Sequence, residues 1–194
     1  MLTCMKRINI YLTLALAVLL TACASDNVDK PPKKQKVVLD KKGKEKSFLR
    51  IHLQEEPDGS ERTAPVSIYR ANPIQINVHK EHFLDEGNLT KASVVEDIGG
   101  FAIKLEFNRQ GTWLLQNQTS AYKGRQIVIA ALFGDTADKL RWLAAPYVNQ
   151  PINDGVLRFT PDATREEAER IVLGLNNVIA DVKKKALLKD HDDK

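Results

Sequence analysis

Cysteine is nearly absent. The chain of 194 residues holds two, Cys4 and Cys23, both close to the start, so no pair is left to cross-link residues 24–194. A body without disulfides must be held together by its own buried apolar surface. Aromatic residues are sparse at 6%, and the longest apolar stretch falls short of the about 20 residues that a membrane-spanning helix needs. Also missing are a nucleophile elbow, a zincin helix and a glycine-rich phosphate loop. With no thiol in the body either, these gaps set aside the common hydrolase, metalloprotease and nucleotide-dependent classes. The expectation is a protein that is not an enzyme and needs no cofactor.

What is present begins with an address. Lys6 and Arg7 precede the apolar stretch Ile8–Leu20, which ends in Leu20-Thr21-Ala22-Cys23. A basic n-region, a short h-region and small residues before the cleavage point make residues 1–22 a secretory signal. Leu-Thr-Ala-Cys followed by Ala24-Ser25 resembles a bacterial lipobox. That resemblance implies a diacylglycerol on the sulfur of Cys23, cleavage just before it and acylation of the new amine. Ala24, where retention signals carry aspartate, resembles lipoproteins sorted to the outer membrane. The implied location is the cell envelope, facing the periplasm, with the membrane itself as the first partner through the anchor. Residues 23–46 are rich in Lys and Pro and lack periodicity, a composition that reads as a flexible tether.

The net charge of +4 and the pI near 9.0 suggest an anionic partner, but the charge is unevenly distributed. Asp26–Lys46 holds eight lysines against Asp26, Asp29, Asp40 and Glu45. Ser47–Val182 carries 14 Lys and Arg against 18 Asp and Glu, a formal −4. The basicity belongs to the two ends, and the body offers no basic stripe of the kind that binds nucleic acid. No nucleic-acid partner is expected.

The body opens, over residues 47–88, with short strand candidates at Phe48–Leu53, Pro65–Tyr69 and Ile74–Val78. Pro57-Asp58-Gly59 and Arg70–Pro73 supply the turns between them. His79 and His82, with Asp85 and Glu86 nearby, have the look of metal ligands. The segment is not convincingly helical and lacks a third ligand at a recognised spacing, so it reads as a polar loop with no metal. Leu89–Ala92 reads as a helical turn leading into Val94-Val95.

Phe101–Phe133 is the centre of the chain and reads as strand, helix, strand. Phe101, Ile103, Leu105 and Phe107 alternate with Ala102, Lys104 and Glu106. Asn108 caps a helix with Leu114, Leu115, Gln118 and Tyr122 on one face and Thr119 on its flank. Lys123-Gly124 stops that helix, and Arg125–Phe133 is a continuous apolar run suited to a central strand covered on both sides.

Beyond a polar loop come Leu140–Ala145 and the proline-punctuated Pro146–Ile152, which suits an edge segment or extended loop. After the turn at Asn153-Asp154-Gly155, Val156–Thr160 is a short strand. Thr164 and Glu167 form a capping box. Ala168, Ile171, Val172, Leu175, Val178, Ile179 and Val182 then keep a helical stripe. Residues 183–194 lose that stripe and read as a charged, frayed tail. The fold class expected is α+β, with a mixed, largely antiparallel sheet and two helices packed on one face, preceded by a signal peptide and flexible linker.

Gly111, Thr119, Gly124–Ile129, Ala145–Ile152, Gly155, Phe159-Thr160 and Glu166-Glu167-Ala168 occur in an order similar to that of SecD. Residues 89–182 resemble the head subdomain of its first periplasmic domain. The resemblance implies an α+β head; SecD, with SecF, uses proton flow to help exported polypeptides leave the translocon, and its head is proposed to contact the emerging chain. There are departures. SecD's transmembrane helices and their acidic residues have no counterpart here, so proton-driven work is not implied. Ala130–Phe133 replaces an acidic-glycine turn, Gly134–Leu143 is an altered loop, and Pro161-Asp162-Ala163 lengthens the approach to the last helix.

The candidate partner-binding residues are Trp142, Pro146, Tyr147, Asn149 and Pro151, crowded into one non-regular stretch between two strands. Proline stiffens such a segment, while Trp and Tyr offer apolar area with a polar handle. An extended edge there would accept an added strand; the alternative is that Trp142 and Tyr147 only cap the core. The function expected is a non-catalytic interaction module whose partner is a polypeptide or an envelope protein, or else a structural lipoprotein bound to a fixed envelope component.

Overall fold

The computed structural model describes residues 45–134 and 140–192. The elements in order are β1 (Phe48–Leu53), β2 (Thr63–Ile68), β3 (Ile74–His79), β4 (Leu84–Asp85), β5 (Leu89–Asp97), β6 (Gly100–Phe107), α1 (Arg109–Ala121), β7 (Ile127–Leu132), β8 (Arg141–Ala144), β9 (Val156–Phe159) and α2 (Arg165–Asp192). Three sheets result, ordered β4-β1-β7-β8, β5-β6-β9 and β2-β3. Every strand pair among the described residues is antiparallel. The α+β class stands, with two helices serving one core and the antiparallel strands divided among three sheets. The described residues form one compact unit, and the signal peptide, Cys23 and nearly all of the tether lie outside them.

The unbroken apolar run of β7 places it in the middle of the four-stranded sheet. Its inward positions face their β1 partners, Leu49 opposite Ala131, Ile51 opposite Ile129 and Leu53 opposite Ile127. These side chains join Ile103 and Leu105 of β6, Leu157 and Phe159 of β9, Leu115 of α1, and Ala168, Ile171, Leu175 and Ile179 of α2 in one core. Each large aliphatic side chain buried there contributes about 1.5–3 kcal/mol.

Both helix starts form as their side chains dictate. Asn108 Oδ1 accepts the amide of Gly111 at 2.8 Å. Gly111 is a glycine by necessity, since a Cβ would lie 2.9 Å from the carbonyl of Asn88. Thr164 and Glu167 close the capping box in both directions, at 2.8 and 3.2 Å. Thr119, expected on the flank of α1, is fully buried. Its hydroxyl donates to the carbonyl of Leu115 at 2.7 Å and accepts the amide of Ile152 at 3.0 Å, so it ties the proline-rich segment to the helix.

The far face of the four-stranded sheet is covered by the β2–β3 hairpin. Ile68, Ile76 and Val78 of the hairpin pack on Val128 and Ala145, with Val66 and Trp142 half-buried at the margin. The turn of the hairpin is pinned to the approach of α2, where Asp162 Oδ2 accepts the amide of Arg70 at 2.8 Å.

Two long-range contacts fix α2. Asn176 reads the outer edge of β5, accepting the Ala92 amide at 3.0 Å and donating to its carbonyl at 2.9 Å, so its side chain stands in for a further strand. Gly174 lets the entering chain cross the helix; a Cβ there would sit 2.6 Å from the backbone nitrogen of Ser47. Beside that crossing Glu45, 3% exposed, pairs with Arg170 at 3.0 Å, and Asn177 donates to the Glu45 carbonyl at 2.9 Å.

Three local expectations are corrected. Leu89–Ala92 is strand, not a helical turn, because β6 offers it a full partner along Leu89–Asp97. The turn lies just before it, at Glu86–Asn88, capped by Asp85. The segment around Trp142 is regular in part, since Arg141–Ala144 pairs with β7 across a register shift. The tail does not fray at residue 183, for α2 continues to Asp192. Lys, Ala and Leu are good helix formers even where no apolar stripe guides them.

Candidate functional site

The stretch from Trp142 to Pro151 forms the outer margin of the four-stranded sheet, and the structure divides its candidates into two groups. Trp142, on β8, turns toward the hairpin and meets the ring of His52 edge-on, with centroids 5.2 Å apart. Pro146 is half-buried, and its carbonyl accepts the amide of Ile127 at 3.1 Å. Tyr147, Asn149 and Pro151 face outward, with Tyr147 66% exposed.

The main chain explains that division. Val148 donates to the carbonyl of Arg125 at 2.8 Å and accepts from Gly124 at 2.8 Å. Gly124 reaches this position with φ +84°, which favours glycine. Pro146 and Val148 thus bond inward on either side of the bridge between Gln126 and Tyr147. In an antiparallel ladder the residue between them must point its own amide and carbonyl the other way. Among the described residues neither group of Tyr147 meets a partner.

The inner side is over-determined. Gln126 Nε2 donates to the Ala145 carbonyl at 2.9 Å, and the Gln126 amide meets Gln54 Oε1 at 2.8 Å. The Arg125 guanidinium lies over the Tyr122 ring at 5.4 Å and pairs with Glu55 at 3.4 Å. Burial, with a hydrogen bond to Glu55 at 3.1 Å, pushes the Tyr122 hydroxyl above its ordinary pKa. Beyond Asn149 a cleft of about 430 Å³ is lined by Gln150, Pro151, Ile152, Asn153, Asp154 and Val156. The arrangement is a rigid margin that presents one main-chain donor and acceptor, one aromatic ring and a cleft with polar side chains. That equipment suits binding.

The histidines of the polar loop have separate hydrogen-bond and charge partners. His79 Nδ1 lies 3.2 Å from the carbonyl of Glu81, and His82 Nε2 is 3.7 Å from Asp85. Glu86 is committed to Arg50 at 2.6 Å. Among the described residues no group of three or more His, Cys, Asp or Glu converges to hold a metal ion.

Two exposed or reactive positions carried no sequence signal. Trp113 on α1 is 62% exposed, beside Arg109 and Gln110; a lone tryptophan on a polar helix face is ordinary in sequence. His52 occupies an outward position in the β1 alternation yet is 5% exposed, because the hairpin returns over it.

No protein-family model and no curated protein matches the chain. Solved structures of SecDF are similar to it. A membrane component SecDF that enhances protein export is 19% identical, with 68% of this chain and 62% of that chain covered, at a TM-score of 0.47. SecDF in a super-membrane-facing form is also 19% identical over 68% of this chain and 19% of that chain, at 0.48. SecDF from Thermus thermophilus, a translocon-associated membrane protein, is 14% identical over 88% of this chain and 33% of that chain, at 0.36. The chain therefore spans under two thirds of the first of these. Among the described residues no helix is long and apolar enough to cross a membrane.

Proposed function

We propose that this protein is a lipid-anchored, non-catalytic module of the periplasmic envelope that contacts extended polypeptides through the margin Pro146–Pro151. The observation that carries the reading is Tyr147, whose ring is 66% exposed and whose amide and carbonyl point away from the sheet. An exported polypeptide that has not folded has unpaired main-chain groups and uncovered apolar side chains. Such a chain gains hydrogen bonds by lying along a sheet margin and apolar contact by crossing an aromatic ring. The ordered resemblance of residues 89–182 to the SecD head supports the same partner class. Acylation of Cys23 would hold the module at the membrane, on the outer-membrane side by the reading of Ala24. A structural role at a fixed envelope component is the second reading, favoured by the polar side chains Gln150, Asn153 and Asp154 in the neighbouring cleft.

Photoreactive residues placed in vivo at Tyr147 and Asn149 test this, with exposed Lys91 and Glu169 as controls. A range of exported polypeptides captured at the first pair alone is the expected result. One abundant envelope protein would replace it with the structural reading, and adducts at the controls alone would sink both. In the same strains the mature protein should begin at Cys23 with acyl chains in its intact mass. Cys23→Ser should abolish both the acylation and its retention in the membrane fraction.

A further inference from the structure

His52 is the one histidine enclosed between the four-stranded sheet and the β2–β3 hairpin among the described residues. It lies opposite Val128 in the β1–β7 ladder, in contact with Trp142, and its Nδ1 is 2.8 Å from the carbonyl of His79 at the open end of the hairpin. That geometry assigns the proton of the neutral ring to Nδ1, donated to the carbonyl. Nε2 is buried and has no hydrogen-bond partner among the described residues. We propose that the hairpin is an acid-released flap, held shut by neutral His52 and freed at its open end when that imidazole takes a second proton.

Among the described residues the surroundings give a proton at Nε2 no hydrogen-bond acceptor. Val128 and Ala145 of the small core cannot accept a hydrogen bond, and Trp142 presents a ring with a donor only. The charged and titratable groups that act on His52 are Arg50 on its own strand, His79 of β3, and His82 of the loop after β3, all cationic when protonated. The acids that pair with Arg50 and His82 are thereby engaged, Glu86 with Arg50 at 2.6 Å and Asp85 with His82 at 3.7 Å. An imidazolium here reaches water only if the hairpin lifts. The main-chain tie between hairpin and sheet at that end is short: a bridge between Gln54 and Val78, with Glu55 donating to the Asn77 carbonyl at 2.9 Å. The His79 end is also held covalently, through residues 80–83, with Phe83 donating to the Ile51 carbonyl at 2.9 Å. The turn end is tethered at Asp162, so release loosens β2 and β3 from the sheet between these two ties. Tyr69, at that turn, already has φ +68°.

The pH dependence has a definite sign. Burial holds His52 below its ordinary value of 6.5, against a smaller opposing effect of the His79 hydrogen bond. Above about pH 6.5 closed and open forms are both neutral and the hairpin is fully docked. Below it the open form takes the proton first, so the open-to-closed ratio rises by up to about tenfold per pH unit until the lowered value is passed.

Hydrogen exchange of the full mature protein, corrected for intrinsic rates, tests the flap between pH 7.5 and 5.0. Amides of residues 63–79 should lose protection as pH falls, while those of 101–107 and 127–132 hold theirs. His52→Phe, which keeps the apolar contact and removes the titration, should abolish the pH dependence, and His82→Gln should retain most of it. Equal loss in all three segments, or an unchanged pH dependence in His52→Phe, overturns the proposal. Should His52→Phe fail to fold, the wild-type ring resonances decide. His52 must titrate below 6.5 in step with hairpin opening, and titration at or above that value overturns the flap as well.

Discussion

The two faces of the four-stranded sheet are built from the same strands and differ in kind. The inner face presents Leu49, Ile51, Leu53, Ile127 and Ile129 to both helices and to the second sheet. The outer face presents His52, Arg50, Val128 and Ala130, and among the described residues it is a two-stranded hairpin that lies over it. Large aliphatic side chains from most of the strands and from both helices make the inner face an all-or-none structure. The outer face has few apolar residues, one buried imidazole and a partner that is marginal on its own. One sheet thus carries a permanent core on one side and a conditional one on the other.

Three substitutions would break or sharpen that contrast. Leu175→Asp places an unpaired charge at a fully buried point of the inner core and should cost about 4 kcal/mol or more, read as a collapse of the urea midpoint for every probe at once. Arg170→Met leaves the Glu45 carboxylate buried without its ion pair and should cost about 3 kcal/mol. It too should appear as cooperative loss of the inner core, and a change below about 1 kcal/mol would mean that the junction is not tied through this pair. Ile76→Ala empties part of the outer core and should cost about 2 kcal/mol. Its effect should be confined to hydrogen exchange of residues 63–79, with the unfolding of β6 and β7 hardly moved. Equal effects of Ile76→Ala on all segments would show that the two faces unfold as one.

The inner face is legible in the sequence because its signals are local. Alternation in Phe101–Phe107, the run Ile127–Leu132, the caps Asn108 and Thr164, and the stripe from Ala168 to Ile179 each state an element and its buried side without knowledge of a partner. The outer face is not. His52 stands at an outward position of β1, and whether such a position meets water depends on a hairpin that returns from Thr63–His79. Leu89–Ala92 escapes a local reading for the same reason: the pairing with β6 that makes it strand is a long-range fact. Helix α2 runs past residue 182 because propensity persists where amphipathic pattern does not. At the candidate margin, the exposure of Tyr147 is open to two readings until the inward bonds of Pro146 and Val148 decide it. Trp142 has no assignable face without the register shift in β8.

The crossing of the chain over Gly174 also sets a mechanical load path. Tension applied to the polypeptide ahead of Glu45 meets the Glu45–Arg170 pair and the Asn177 hydrogen bond before it reaches the first ladder bond of β1. Those contacts engage the middle of α2, which is itself held to β5 through Asn176. A pull is therefore shared between the longest helix and a second sheet, and β1 is shielded from being peeled off its neighbours one hydrogen bond at a time.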